Sequence, residues 1–362
     1  MTKASIIVLV ALATAARAHA QSYTETFTNG SNVGAWTFGN AADTIETMGG
    51  NPGYYLHNPN VDTFAPQPRT GTGVQSAFIG DYRTRRVALL EVDLKTLSTQ
   101  FPFARPLSLI LDNDAGTPAD PTDDCSVYVV TDQFVPQVAE GWKHFSVPVP
   151  SQFTTLPPGW NVLGNCIGTP DAAWNAVIAD VDRVRWFYGD PTFFFIFDIW
   201  DVGMDNARVA EEVGAGTCFG DGSSGPCPCA NVGGNGEGCA NSSGAGARLA
   251  AAGSTSVSAN DLVLVATHMK PNTLSIAFQG DAVLAVPLPF GDGLRCAGGT
   301  LKSLGVGHNS PAGSATFGPG LAGAAGWTPG AVFGFQVQYR DPTGPCGTNF
   351  NVTSAVVITF TN

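Results

Sequence analysis

GGNPGYYL (residues 49–56), FIGDYR (78–83), GWKHFSVPVP (141–150), DAAWNAVIADVDRVRWFYGD (171–190) and MDNARV (204–209) follow one another in this order. The fourth string says most about local structure. Thr169 is placed to cap a helix, Pro170 takes its first position, and Asp171 complements the positive end of its dipole. Trp174, Val177, Ile178 and Val181 then recur at helical spacing and give one apolar face, which reads as core packing. Everything around this helix reads as strand. Residues 87–94 alternate apolar and charged side chains, as a half-buried strand does. Residues 107–111 and 126–131 flank an acidic loop, and residues 144–149 end at Pro148 and Pro150. Near the start, Tyr23, Glu25 and Phe27 share one side of a short strand. Residues 184–188 and 193–198 are expected strands, with Phe194 and Ile196 in the most buried part.

In this order and spacing, together with Ala65-Pro66, the five strings resemble a laminin IV (laminin B) domain, a β-sandwich module of extracellular matrix and secreted proteins. The resemblance covers about the first half of the chain beyond residue 20. It implies a binding or structural module outside the cell, acting in adhesion. The run FGDGSSGPCPCAN…GCANSSGAGA, with FGDGLRCAGG (290–299) and the final FNVTSAVVITF, resembles a C-terminal module of large secreted bacterial proteins. No activity attaches to that module, and the two halves share no internal repeat.

The start of the chain agrees with export. Lys3, the apolar run 6–16 and Ala18-His19-Ala20 form a signal peptide over residues 1–20. That apolar run is too short to span a bilayer, and no later run is long enough. The organisation that follows is a laminin-B-like jelly roll over 21–212, a Gly/Cys-rich connector over 213–250 and a second β-sandwich over 251–362. The expected fold class is therefore all-β, with two sandwiches and one short helix in the first. From residue 253 onward, strands are expected at 261–266, 273–279, 282–287, 331–339 and 351–360, separated by turn residues.

Charge is uneven. Residues 21–212 carry 10 Lys+Arg against 23 Asp+Glu, while 213–362 carry 5 against 6. An acidic chain repels phosphate backbones, so nucleic acid is excluded as a partner. The partners that fit are an extracellular glycan or a matrix or surface protein, with no membrane insertion. The eight cysteines fit an oxidising compartment. Cys125 and Cys166 are alone in the first half and pair by elimination. In the second half, Cys296–Cys346 is expected to close the sandwich, with Cys218, Cys227, Cys229 and Cys239 stapling the connector. Their gaps differ from those of zinc sites.

Two carboxylate sets have the character of calcium ligands. Glu25 on the first strand and Asp205 in MDNARV lie side by side if the first and last strands are neighbours. Asp112 and Asp114 open the loop LDNDAGTPADPTDDC, the densest acidic cluster, although it lacks an EF-hand ladder. The bland alternatives are a solvated Glu25, an Asp205 turn and a solvated loop. Tyr54, Tyr55, Trp142 and Trp160 are the aromatics available for stacking on a sugar ring, set against a core or turn role. His57, His144, His268 and His308 sit in no H-E-x-x-H, and neither G-x-S-x-G nor a P-loop is present. Gly234, Gly236 and Gly238 lead into no helix. No catalytic residue is assigned. The reading is a non-enzymatic extracellular binding protein, with a calcium-stabilised carbohydrate-binding protein and a polysaccharide hydrolase built on a carboxylate pair as alternatives.

Overall fold

The computed structural model describes residues 22–71 and 76–362, so the expected signal peptide lies outside the described residues. The first domain runs through β1 (Tyr23–Glu25), β2 (Thr44–Gly50), β3 (Gly53–Thr63), α1 (Tyr82–Arg85), β4 (Val87–Thr99), β5 (Pro106–Asn113) and β6 (Cys125–Phe134). It continues with β7 (Lys143–Pro148), β8 (Trp160–Gly164), α2 (Pro170–Ala179), β9 (Arg183–Phe187) and β10 (Asp198–Glu211). Two antiparallel sheets form: β2-β3-β10-β4-β7, with β1 added on β10, and β8-β6-β5-β9. Alternating residues fill the space between them, among them Leu56, Val92, Leu94, Val202 and Met204 from one sheet and Leu109, Leu111 and Val127 from the other.

Helix α2 forms as its caps predict. The Thr169 hydroxyl accepts from Ala172 N at 3.2 Å, and Trp174, Val177 and Ile178 are fully buried. Trp174 donates from Nε1 to the carbonyl of Phe153 at 2.9 Å, which satisfies the one polar atom of that ring.

The expected buried strand at 193–198 is a correction. Only Asp198 belongs to a strand, and Phe193, Phe194, Ile196 and Phe197 are exposed. Asp190 accepts from Thr192 N (2.9 Å) and its carbonyl from Phe193 N (3.0 Å), so a turn takes the backbone before any strand partner can. Phe195 alone folds back, 4.5 Å above the Arg105 guanidinium. A Cβ on Gly189 would stand 2.3 Å from its ring, which is why that position is open.

The second domain comprises β11 (Ala215–Thr217), β12 (Arg248–Ala252), β13 (Val263–Thr267), β14 (Leu274–Phe290), β15 (Gly293–His308), β16 (Ala315–Phe317), α3 (Ala322–Ala325), β17 (Val332–Arg340), β18 (Phe350–Val352) and β19 (Ala355–Thr359). Its sheets are β11-β19-β17-β14-β15, with β18 on β17, and β12-β13-β16. The expected strands at 273–279 and 282–287 are one strand, β14, bent by a register shift between Gly280 and Ala282. A core of Leu249, Leu264, Trp327, Phe335, Val337 and Ile358 fills this sandwich.

The pairing Cys296–Cys346 is also corrected. The disulfides are Cys125–Cys166, Cys218–Cys296, Cys227–Cys239 and Cys229–Cys346. Pairing of β11 with β19 carries Cys218 to β15, where it packs with Leu294, Cys296 and Ala355. The connector is thus stitched into the second sandwich at both ends, and two of its cysteines reach beyond it.

The domains meet on the outer face of the first sheet. Ala88, Leu89 and Ala210 pack against Ala250, Ala252, Val263 and Val265. Glu212 at the crossing point receives both Arg248 (Nη1–Oε1 2.6 Å) and Arg86. Leu89→Ala removes a fully buried side chain from this seam and is expected to cost about 2–5 kcal/mol. A urea midpoint corresponding to less than about 1 kcal/mol of loss would show that the faces do not pack. Non-reducing peptide mapping is expected to return the four disulfides named above and no free thiol.

Candidate functional site

The same outer face, beyond the seam, carries the polar side chains of four strands. Alternation sends Leu56, Trp200, Val202, Met204, Val92 and Leu94 into the core. Their neighbours Tyr55, His57, Asp201, Gly203, Asp205, Asp93 and Lys95 therefore face outward. Register aligns them: His57 opposes Gly203, Gly203 opposes Lys95, Asp205 opposes Asp93, and Asp93 opposes His144.

Gly203 sets the shape of this face. A Cβ there would stand 2.9 Å from the Tyr55 ring and 3.1 Å from that of Trp142. Its absence lets the two aromatics meet edge to face above the strand, with centroids 5.4 Å apart and planes at 83°. Trp142 is fixed from two further sides. Its Nε1 donates to the carbonyl of Gly49 on the β2–β3 hairpin (2.8 Å), and Lys95 Nζ lies 5.6 Å from its ring centre. Beside the pair, His57 Nε2 lies 2.7 Å from Asp201 Oδ1, and its Nδ1 lies 3.4 Å from Glu46 Oε1. Burial, then Glu46 and Asp201, raise the Tyr55 phenol above its ordinary range, so it stays a neutral hydroxyl.

From there a chain of polar contacts runs to the second domain. Asp205 accepts from Asn51 N (2.6 Å) and Asn206 N (2.7 Å), and both asparagine side chains donate to Asp93 Oδ2 at 3.0 and 2.7 Å. Asp93 Oδ1 holds His144 Nδ1 at 2.7 Å, and His144 Nε2 lies 3.4 Å from Glu91. Glu91 holds Arg208 at 2.6 Å, and Arg208 reaches Asp261 of the second domain at 3.1 Å. Burial, together with the nearby Asp93, pushes Asp205 up to about 6, against the pull of its two backbone donors. The hydrogen bond to Asp93, and then the one to Glu91, raises His144 to about 9.

The residues singled out from sequence divide. Tyr55, Trp142 and Asp205 come together on this face. Tyr54 turns the other way and packs against the core. Trp160 is buried, edge to face with Trp174 at 5.1 Å, because β8 lays it over α2. Glu25 and Asp205 do lie on paired strands, β1 and β10, but each serves a different turn. Glu25 is buried and accepts from Val33 N (2.5 Å) and Phe27 N (3.3 Å). Asp112 gives both oxygens to Arg185, at 2.7 and 2.6 Å, and one of them also to Ser126. Asp114 accepts from Gly116 N (2.9 Å) and stands beside Asp182, whose carboxyl is pushed up by burial and by Asp114. Among the described residues no three His, Cys, Asp or Glu side chains converge as a metal set. Sequence reasoning missed His57, Asp201, Gly203, Lys95 and the Asp93–His144 pair. The alternation of residues 87–94 already turned Asp93 outward, but its partners come from other strands.

No protein-family model and no curated protein matches the chain. Among solved structures, the N-terminal CBM22-1-CBM22-2 tandem domain of Paenibacillus barcinonensis Xyn10C aligns over 94% of this chain and 90% of its own, at 9% identity and a TM-score of 0.30. The glycoside hydrolase domain of Endo-D from Streptococcus pneumoniae R6 aligns over 90% of this chain at 11% identity and a TM-score of 0.22, and the chain spans 37% of that domain's length. Similarity this slight leaves the site to be read from its own chemistry.

Because the folded value of His144 lies above its ordinary 6.5, its stabilising contribution is complete below that pH and is lost as pH rises through about 9. His144→Gln is expected to flatten the dependence of melting temperature on pH over that interval. Parallel slopes for wild type and variant would remove His144 from the polar chain.

Proposed function

We propose that the protein is an extracellular, non-catalytic binding protein that takes a saccharide on the outer face of its first sheet. The observation that carries this reading is the half-buried Trp142 ring, backed by the buried Tyr55 over Gly203, with His57, Asp201 and Lys95 at its border. A pyranose presents C–H groups on its faces and hydroxyls around its rim. Aromatic surface suits the first, and fixed carboxylate, imidazole and ammonium groups suit the second. The site is built on strands and held by hydrogen bonds, so little ordering is left for binding to bring about. The four disulfides support a place outside the cell. No helix among the described residues is long and apolar enough to cross a membrane. On this reading, the adhesive role implied by the laminin-like strings is exercised through glycan.

A glycan array on the chain from residue 21, followed by calorimetry on the best ligand, tests this. Trp142→Ala and Asp201→Ala are each expected to weaken binding at least tenfold, about 1.4 kcal/mol. Undiminished binding by Trp142→Ala would move the site off this face. Release of reducing ends from the bound polysaccharide would replace the binding reading with a hydrolytic one.

A further inference from the structure

Three of the first domain's ten cationic side chains stand together at the edge of its smaller sheet. Residues 65–70 run beside β9 as an additional strand: Trp186 N donates to the Pro68 carbonyl (2.9 Å), Tyr188 N to that of Pro66 (3.1 Å) and Thr70 N to that of Val184 (3.0 Å). Arg69 opposes Arg185 directly across this pairing, and Thr37 opposes Arg69 on its other side. Arg183 is two residues from Arg185 on β9 and so shares its face. The three guanidiniums border an open recess of about 340 Å³, shared with Thr37, Gln67 and Thr70.

Like charges opposed on neighbouring strands repel, and here only Arg185 is held by carboxylate hydrogen bonds, while Arg183 has ion pairs at the limit of reach. Arg185 is engaged by both oxygens of Asp112. Arg183 comes no nearer than 4.0 Å to Asp112 and Asp124. Arg69 makes no ion pair among the described residues, and Thr72, Gly73, Val74 and Gln75, which follow it closely in sequence, include no carboxylate. Asp43, the nearby acid, takes its hydrogen bonds from Thr37, the amide of Phe38 and Asn58, and acts on Arg69 only through its charge. Gly39 leaves the space into which Arg69 folds, since a Cβ there would stand 2.5 Å from its Nη2. Burial, and then Arg183 and Arg185, draw the Arg69 guanidinium below its ordinary value, against the pull of Asp43 and Asp112.

We propose that this recess is an oxyanion site, in which Arg69 and Arg183 grip one sulfate or carboxylate group while Asp112 holds Arg185 in place beneath it. Planar guanidinium forks match the paired oxygens of either group. Two sources share this chemistry: a free inorganic anion, and the acidic substituent of a saccharide. The site lies on the smaller sheet and does not depend on the Tyr55–Trp142 face being a saccharide site.

The test uses the full chain from residue 21, titrated with sodium sulfate, sodium galacturonate and neutral galactose at ionic strength matched with sodium chloride. Melting temperature and calorimetric affinity are read for wild type, Arg69→Gln, Arg183→Gln and the surface control Lys302→Gln. Sulfate or galacturonate is expected to raise the melting temperature of wild type and Lys302→Gln beyond the chloride match, with affinity at least tenfold weaker in either arginine variant. A response to sulfate alone assigns a free anion, and one to galacturonate alone assigns an acidic saccharide. In the absence of anion, Arg69→Gln is expected to melt no lower than wild type, because it relieves an opposed charge. Should Arg69→Gln fail to fold, Arg183→Gln and Arg69→Lys carry the comparison, the latter keeping the charge and losing the fork. No response beyond chloride in wild type, or equal responses in the arginine variants and Lys302→Gln, would overturn the site.

Discussion

Strand β10 pairs with β1, β3 and β4, and the rest of the molecule is arranged on that fact. One face of its fourteen residues buries Trp200, Val202, Met204, Ala207 and Val209. The other carries the partly exposed Asp201, Gly203 beneath the Tyr55 and Trp142 rings and the buried Asp205 under the polar chain, then turns Arg208 and Ala210 to the second domain. Core, candidate site and domain seam are thus successive parts of one strand. A strand with alternating side chains can do this only if its register is held. Here neighbours on both sides hold it, with bulges where the face changes its use.

Glycine and the polar chain do complementary work on the open face. Gly203 removes a side chain so that two aromatic rings occupy its place, and Trp142 is tied to the far hairpin through Gly49. The chain from Asp205 through Asn51, Asp93, His144, Glu91 and Arg208 to Asp261 then satisfies acids that burial would otherwise oppose. Glu91 shows the balance. Burial raises its carboxyl, but His144 and Arg208 outweigh burial and hold it below its ordinary value. A buried carboxylate without such partners takes up a proton instead, which is the direction in which Asp205 moves.

The second domain solves a different problem. Its connector is rich in glycine and has no apolar face of its own, so covalent links do what packing cannot. Cys218–Cys296 ties it to strand β15 and Cys229–Cys346 to the turn between β17 and β18, while Cys227–Cys239 closes it locally. Glu237 adds backbone contacts inside the loop, accepting from Gly234 N and Gly246 N at 2.8 Å each.

The class of fold, helix α2 with its cap, the existence of strand β4 and the Cys125–Cys166 pair were all legible in the sequence. Each depends on periodicity, capping or exclusion, signals that sit within a few residues or within one count. But β4 is not half-buried as its alternation predicts: Val87 to Leu94 are all buried, because the second domain and the polar chain cover its outer face. Three things were decided by tertiary structure alone. The disulfides of the second half depend on which distant segments the fold brings together, across as many as 117 residues for Cys229 and Cys346. The meeting of Tyr55, Trp142 and Asp201, and of Arg69 with Arg185, depends on register between distant strands. The aromatic run after Asp190 looked like core by composition, yet a turn took its backbone and left most of its rings exposed. Hydrophobicity says what a side chain gains by burial, while only the partners available to its backbone decide whether it is buried.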